Sequence, residues 1–195
     1  MSVFKIATND ADYPVVVKKK IVCPYYRRWF GMLSRAYSKN FHKNNPAYIG
    51  CTVCDEWLLF SRFKKWMEAQ DWQGMELDKD ILFPGNKIYS PDKCCFVDKA
   101  TNNLFTGRAE RNWAYLRGVT WNKRRSCYVA QGKNGEGKLE YLGGYRTEKN
   151  AHSAYLLHKA KIVRSVAYRQ TDPRVFIALS ERAAIMEMEP KPDKI

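Results

Sequence analysis

The chain has 195 residues, with 34 Lys and Arg side chains against 20 Asp and Glu, and a formal net charge of +14. Hydrophobic residues make up 45% and aromatic residues 14%, which predicts a packed core and excludes global disorder. No apolar run approaches the roughly 18 residues that a membrane span needs, and the N-terminal residues show no secretory signal. We therefore expect an intracellular, cytoplasmic protein, in whose reducing compartment the six cysteines would be thiols.

The charge is unevenly distributed. Residues 1–70 and 106–165 carry net charges of +7 and +9, whereas residues 71–105 carry −2. Basic blocks attract polyanions through counterion release, and a divalent-metal site facing a phosphate requires an acidic island such as this one. The pattern favours nucleic acid over an anionic membrane as the partner. The alternative is a solvated basic surface with an acidic stretch that has no function.

The first half of the chain is predicted to be mainly helical. Residues 1–22 are expected to form a tail with one weak strand. Aromatic and aliphatic residues at three-to-four spacing predict a helix over 24–37, a loop over 38–50 follows, and a second helix is predicted over 55–70. We expect the aromatic residues of both helices to lie in the core.

The pattern changes after residue 74. Strands are predicted over 77–82 and 94–97, with turn residues at 84–86 between them and a short helix over 98–105. This order is a strand–loop–strand–helix unit of about 30 residues.

A second change begins near residue 117. Three short strands are predicted over 118–124, 126–132 and 138–144, followed by a helix over 146–163 with Thr147 as its N-cap. A last helix is predicted over 172–188, starting from the capping pair Asp172-Pro173.

The fold class is therefore α+β: N-terminal helices with a ββα unit, then a three-stranded antiparallel sheet packed on one helix, then a C-terminal helix. The predicted divisions are a tail at 1–22, a first domain at 23–110, a second at 111–165, and a terminal helix and tail at 166–195.

Residues 75–105 resemble the HNH nuclease motif in the variety found in phage-type homing endonucleases. The matching residues are Asp78, Gly85-Asn86-Lys87, Phe96-Val97, Asn102 and Asn103. The resemblance extends over roughly residues 23–105. It implies that Asp78, Asn102 and Asn103 hold one Mg²⁺ or Mn²⁺ ion against a scissile phosphate, and it implies a phage-encoded chain acting in a bacterial host.

The sequence departs from the HNH pattern at Lys79, which occupies the position of the family's histidine base. A lysine is protonated at neutral pH, so it is a poor base but a reasonable phosphate ligand. Asp80, predicted on the same strand face as Asp78, could be a second ligand or the base. His42 could supply the imidazole from the preceding loop. Otherwise the unit has lost catalysis and only binds DNA.

The cysteines have partial metal-ligand spacing. Cys51 and Cys54 form a C-x-x-C pair, but Cys94 and Cys95 are adjacent, so on a strand they would point to opposite faces. We therefore expect buried thiols rather than a structural zinc site.

Residues 118–163 resemble the apetala-type (ethylene-response-factor-like) DNA-binding domain, which phage homing endonucleases also carry. The matching residues are Gly118-Val119, Trp121, Lys123-Arg124-Arg125, Tyr128, Ala130, Tyr141-Leu142-Gly143, Tyr145, Thr147-Glu148, Ala151 and Ala154-Tyr155. The resemblance implies a sheet that enters the major groove of double-stranded DNA. We expect the helix to cover one face, and the DNA-binding residues to be Arg117, Trp121, Lys123, Arg124, Arg125, Lys138 and Arg146.

Three functions remain open from the sequence. The first is a homing-type endonuclease of the HNH kind. The second is a DNA-binding regulator whose nuclease unit has decayed. The third is an interaction protein that inhibits a host nucleic-acid enzyme; its helix over 172–188 could dock that partner or form a homodimer.

Overall fold

A computed structural model of the protein describes residues 2–105 and 114–195. The chain divides into two compact units, one ending at Asn102 and the other beginning at Asn103. Both helices and strands are present, which confirms the predicted α+β class. The predicted domain boundary at 110/111 lies outside the described residues.

The helices of the N-terminal unit follow the prediction for the first helix and differ after it. They are α1 (Pro24–Tyr37), α2 (Lys39–Asn44), α3 (Phe60–Glu68) and α4 (Lys99–Asn102), with 3₁₀ turns at Pro46–Tyr48 and Asp55–Leu58. The predicted helix over 55–70 is interrupted at Leu59, whose backbone is extended. Part of the predicted loop over 38–50 is α2, because the Ser38 hydroxyl accepts a hydrogen bond from the amide of Phe41 and caps it.

Short strands complete this unit. They are β1 (Ser2–Val3), β2 (Ala7–Thr8), β3 (Val16–Val17), β4 (Lys20–Ile21), β5 (Thr52–Val53), β6 (Glu76–Asp78), β7 (Ile88–Tyr89) and β8 (Cys95–Val97). β5 and β7 pair in parallel, and the other pairs, β1–β2, β3–β4 and β6–β8, are antiparallel. The expected N-terminal tail is instead part of the fold, because Val3, Ala7 and Val15 are buried in the core.

The core of the N-terminal unit is aromatic. Trp29, Trp57, Phe60 and Phe63 are fully buried and pack against one another. The indole N–H of Trp29 donates to the carbonyl of Trp57 at 2.6 Å, which joins α1 to the turn before α3. The prediction that the aromatic residues of these helices form the core is confirmed.

The C-terminal unit is a three-stranded antiparallel sheet followed by two helices. Its elements are β9 (Val119–Asn122), β10 (Cys127–Lys133), β11 (Leu139–Tyr145), α5 (Glu148–Ala167) and α6 (Pro173–Glu187). β10 lies between β11 and β9, and α5 packs against all three strands. At Gly118 a side chain would collide with the ring of Tyr155, so glycine permits the close approach of the chain to α5.

Side-chain caps fix the N-terminal ends of α5 and α6. The Thr147 hydroxyl accepts from the amide of Asn150 at 3.1 Å, and the Asp172 carboxylate accepts from the amide of Arg174 at 2.9 Å. Both predicted caps are confirmed. α6 packs along α5, and the guanidinium of Arg164 forms a two-pronged ion pair with Glu187 between the two helices. None of the described helices has an apolar stretch of the length that crossing a membrane requires.

Candidate functional site

The predicted strand–loop–strand–helix unit is present in the N-terminal unit. β6 and β8 pair antiparallel with Asp78 opposite Cys95, and α4 follows β8 and contacts β6. The carboxylate of Asp98 accepts hydrogen bonds from the amide and the hydroxyl of Thr101, which fixes the turn into α4. Leu77 is buried in the core, so its neighbours Glu76 and Asp78 lie on the opposite face of β6.

Asp78 ends β6 with its own side chain. Its Oδ1 accepts from the amides of Asp80 at 2.7 Å and Ile81 at 2.6 Å, a turn that stops the strand. Burial raises the pKa of the Asp78 carboxyl, and the charge of Asp80 acts in the same direction, while the two amide hydrogen bonds oppose them. The prediction that Asp80 continues the strand on the same face is wrong, since the chain turns directly after Asp78.

Asn102 lies on the same face as Asp78. Its Nδ2 donates to the Glu76 carboxylate at 2.5 Å, and Glu76 shares a strand face with Asp78. Sequence reasoning missed Glu76, although its two-residue spacing from Asp78 was a usable signal. Asn103, the other predicted ligand, follows α4, is exposed and belongs to the second unit.

Lys79 is buried and is used within the protein. Its Nζ donates to both carboxylate oxygens of Asp80, at 2.9 and 2.8 Å, and to the carbonyl of Asn86 at 2.6 Å. An ammonium has three N–H donors, and these three acceptors within the protein can use all of them. Lys79 and Asp80 form a structural pair, which disfavours the predicted catalytic roles of both residues.

Asn86 holds the loop between β6 and β8. Its Nδ2 donates to the carbonyls of Lys79 at 3.0 Å and Ile88 at 2.7 Å, and its Oδ1 accepts from the amide of Ile88 at 3.0 Å. The ammonium of Lys87 donates to the carbonyl of Ala47 at 2.6 Å, which attaches the loop to the segment after α2. These bonds hold in place the loop that follows Asp78.

His42 lies on α2 and is half-buried. Its Nε2 bonds to the carbonyl of Arg35 at 2.8 Å, and because a carbonyl only accepts, Nε2 carries the proton. In the neutral ring, Nδ1 is therefore the basic nitrogen. The guanidinium of Arg35 also donates to the carbonyl of Leu77 at 3.4 Å, so one residue links His42 to the strand that carries Asp78.

The cysteines are unpaired thiols. Burial raises the pKa of Cys94 to about 12 and that of Cys54 in the same direction, so both are protonated at neutral pH. Across residues 2–105 and 114–195, no three His, Cys, Asp or Glu side chains are arranged to hold a metal ion. The oxygen donors of Asp78, Asn102 and Glu76 are two carboxylates and an amide, a set whose hardness fits Mg²⁺ or Mn²⁺.

The register of the three-stranded sheet assigns its residues to two faces. Val119, Ala130 and Tyr145 form a core cluster with Ala151 and Ala154 of α5, so they mark the face that α5 covers. The residues of β9 and β10 that alternate with them, together with the residues of β11 that pair with those of β10, lie on the opposite face, which we call the far face.

Trp121 lies on the α5 side and not on the far face. It pairs with Tyr128, which pairs with Tyr145, and the rings of Trp121 and Tyr128 meet edge to face with centroids 4.8 Å apart. The prediction that Trp121 lies on the face opposite the helix is wrong, because the register puts it in a row with Tyr145. That Trp121 contacts DNA stays a prediction. Its ring remains 38% exposed at the edge strand.

The far face carries uncharged side chains along its middle. Thr120 pairs with Val129, and Gln131 pairs with Tyr141 across the strands. Val129 is buried, Gln131 is half-buried, and Thr120 and Tyr141 are exposed.

The remaining predicted DNA-binding residues are exposed at the ends of the strands. These residues are Arg117, Lys123, Arg124, Arg125, Lys138 and Arg146. Arg117 precedes β9, Lys123–Arg125 join β9 to β10, and Arg146 follows β11. Lys138 precedes β11 and forms an exposed ion pair with Glu136 at 2.9 Å. Both ends of the sheet are therefore basic.

Compared with known proteins, the chain matches no family model, no curated protein and no solved structure.

Proposed function

We propose that this protein binds double-stranded DNA and hydrolyses its phosphodiester bonds with one divalent metal ion, as an endonuclease of the HNH homing type. The observation that carries the proposal is the common face of Asp78 and Asn102, fixed by the hydrogen bond between Asn102 and Glu76. A ββα unit with an acidic residue at the end of its first strand and an amide on its helix is the arrangement that the sequence resemblance implies.

Asp78 and Asn102 would hold the ion, with Glu76 positioning the amide of Asn102. A bound divalent ion supplies electrostatic stabilisation of the charge that develops on the scissile phosphate and the leaving oxygen. The protein's own contribution is rigidity. Two backbone amides fix Oδ1 of Asp78, and the Lys79–Asn86 bonds fix the loop that follows it.

His42 is the best candidate for the general base. Its bond to the carbonyl of Arg35 leaves Nδ1 as the proton acceptor, and Arg35 ties it to the residue before Asp78. The basic ends of the C-terminal sheet would bind the phosphates of the duplex, which contributes most of the affinity independently of sequence.

The test is metal-dependent nicking of a supercoiled plasmid by the full chain with Mg²⁺ or Mn²⁺. Asp78→Asn keeps an oxygen acceptor for the turn amides but removes the charge, and we expect it to lower the nicking rate by at least about 100-fold. Asp71→Asn is the matched control, since Asp71 is exposed outside the ββα unit, and it should nick like the wild type. Equal nicking by wild type and Asp78→Asn would contradict the proposed site.

His42→Gln separates the base from the ligands. A glutamine retains an amide N–H that can donate to the Arg35 carbonyl but has no basic nitrogen, so we expect nicking to fall by about 100-fold while duplex binding is unchanged. If His42→Gln nicks like the wild type, the base lies elsewhere.

A second candidate function is a DNA-binding regulator without catalysis. The observation that favours it is Lys79, which occupies the expected position of the base and is bonded to Asp80 and Asn86. Salt-dependent binding of duplex DNA with no nicking in either metal would support the regulator over the nuclease.

A further inference from the structure

The far face of the C-terminal sheet differs chemically from its ends. The strands of this sheet contain two charged residues, Lys133 at the end of β10 and Glu140. Glu140 pairs with Gly132, which lies against His158 of α5, so Glu140 belongs to the α5 side. The middle of the far face therefore presents hydroxyl, amide and apolar groups.

We propose that the far face recognises a duplex whose central base pairs are A·T. This inference rests on the proposed binding of double-stranded DNA and specifies the substrate class of that site. The carboxamide of Gln131 can donate to N7 and accept from N6 of one adenine, the pairing that an amide makes in the major groove. Thr120 and Leu139 offer methyl groups to the C5-methyl of thymine.

The middle of these strands carries no side chain of the kind that usually recognises guanine. Recognition of guanine in the major groove relies mainly on Arg or Lys donating to O6 and N7. β9, β10 and β11 contain no arginine, and their one lysine, Lys133, is at the last position of β10, opposite Leu139. A G·C core would leave its acceptors unpaired against the amide and apolar groups of the far face.

The charge distribution argues for a duplex as the occupant of this face. β10 has seven residues, which at about 3.3 Å per residue span roughly 20 Å. The major groove is about 12 Å wide, so the basic residues at both ends of the strands can reach the phosphates that border the groove. Uncharged groups over the base edges and cations over the phosphates match the charge pattern of a duplex.

The experiment is a selection of duplexes with a randomised core by the full-length protein in EDTA, which keeps cleavage from affecting the result. We expect the selected cores to be enriched in A·T. In fluorescence anisotropy, an A·T-core duplex should bind about tenfold more tightly than a G·C-core duplex of equal length. Equal affinities, or enrichment of G·C, would overturn the inference while leaving duplex binding intact; absence of binding to any duplex would overturn the proposed function itself.

Substitutions at Gln131 test whether this residue recognises adenine. Gln131→Ala should reduce the A·T preference several-fold, and Gln131→Arg should move the selected cores towards guanine. Gln73→Ala makes the same chemical change at an exposed position outside the sheet and should select the same cores as the wild type. Circular dichroism of each variant checks that the sheet is folded. A folded Gln131→Arg variant that selects wild-type cores would overturn the assignment.

Discussion

At the scale of single residues, the ββα unit depends on how one buried cation is used. Lys79 is 6% exposed, and its ammonium faces two carboxylate oxygens and one carbonyl. A buried charge that has lost its partners costs several kcal/mol, so these bonds are needed for the loop to fold as it does. Lys79 therefore holds the loop next to Asp78 in place.

Replacing Lys79 by Met should destabilise the protein. We expect Lys79→Met to lower the free energy of unfolding in urea by about 1–2 kcal/mol, because Asp80 and the Asn86 carbonyl lose their donor while Asp80 stays partly hydrated. Lys65→Met, at an exposed position on α3, should change it by less than about 0.5 kcal/mol. Equal stability of the two variants would show that the Lys79 bonds contribute nothing.

The raised pKa of Asp78 predicts that this residue's effect on the free energy of unfolding depends on pH. Burial raises the pKa of the folded carboxyl above the ordinary value of 3.8, so the charged form costs folding free energy at neutral pH. This cost disappears as the pH falls through the folded pKa. We expect Asp78→Asn to unfold at higher urea than the wild type at about pH 7, with the difference shrinking towards about pH 4. A difference that grows on acidification would contradict the raised pKa; Asp71→Asn is the control.

At the scale of elements, the C-terminal unit is organised by which face of the sheet α5 covers. Ala151 and Ala154 allow α5 to approach Val119 and Ala130 closely. This packing leaves Trp121 at the edge of the covered face, supported by Tyr128. The residues of the far face make no part of this contact between α5 and the sheet.

Removing a large side chain should lower the free energy of unfolding more on the α5 side of the sheet than on the far face. We expect Trp121→Ala to lower the free energy of unfolding by about 1–3 kcal/mol, because the partly buried ring and its edge-to-face contact are lost. Leu139→Ala removes an apolar side chain that is 64% exposed on the far face, and it should cost less than about 0.5 kcal/mol. Urea denaturation followed by far-ultraviolet circular dichroism measures both. The reverse order would mean that the assigned register is wrong.

At the scale of the whole molecule, the net charge of +14 predicts salt-dependent binding of polyanions. The positive charge is unevenly distributed along the chain. The turn Lys123–Arg125 places three exposed cations between β9 and β10. The contribution of this turn to DNA binding can therefore be distinguished from the effect of net charge alone.

Changing Lys123, Arg124 and Arg125 together to Gln should reduce the slope of log affinity against log salt concentration by about 2–3, since each lost phosphate contact removes about 0.9. Changing Lys18, Lys19 and Lys20 to Gln removes the same charge from an exposed segment of the N-terminal unit and should change the slope by less than about 1. Equal changes in slope would mean that overall charge, and not the sheet end, determines binding.

Sequence reasoning located most of the elements because their signals are local. The bounds of α1 were predicted to the residue, and β9, β10 and β11 to within two residues. The caps Thr147 and Asp172 were predicted because a cap bonds to an amide two or three residues away. The order of β6, β8 and α4 along the chain and the α+β class are predicted by the same local patterns.

The chemistry of the candidate site was decided by tertiary contacts. The side-chain oxygen of Asp78 ended the predicted strand early and moved Asp80 into a turn, where Lys79 neutralises it. Glu76 meets Asn102 across 26 positions of the chain, a pairing that no spacing pattern encodes. By itself the sequence determined where α1 and the strands β9, β10 and β11 lie and which residues cap α5 and α6, since capping and periodicity act over a few residues. Only the folded structure decided which side chains share a face, since that depends on strand register and on packing between distant segments.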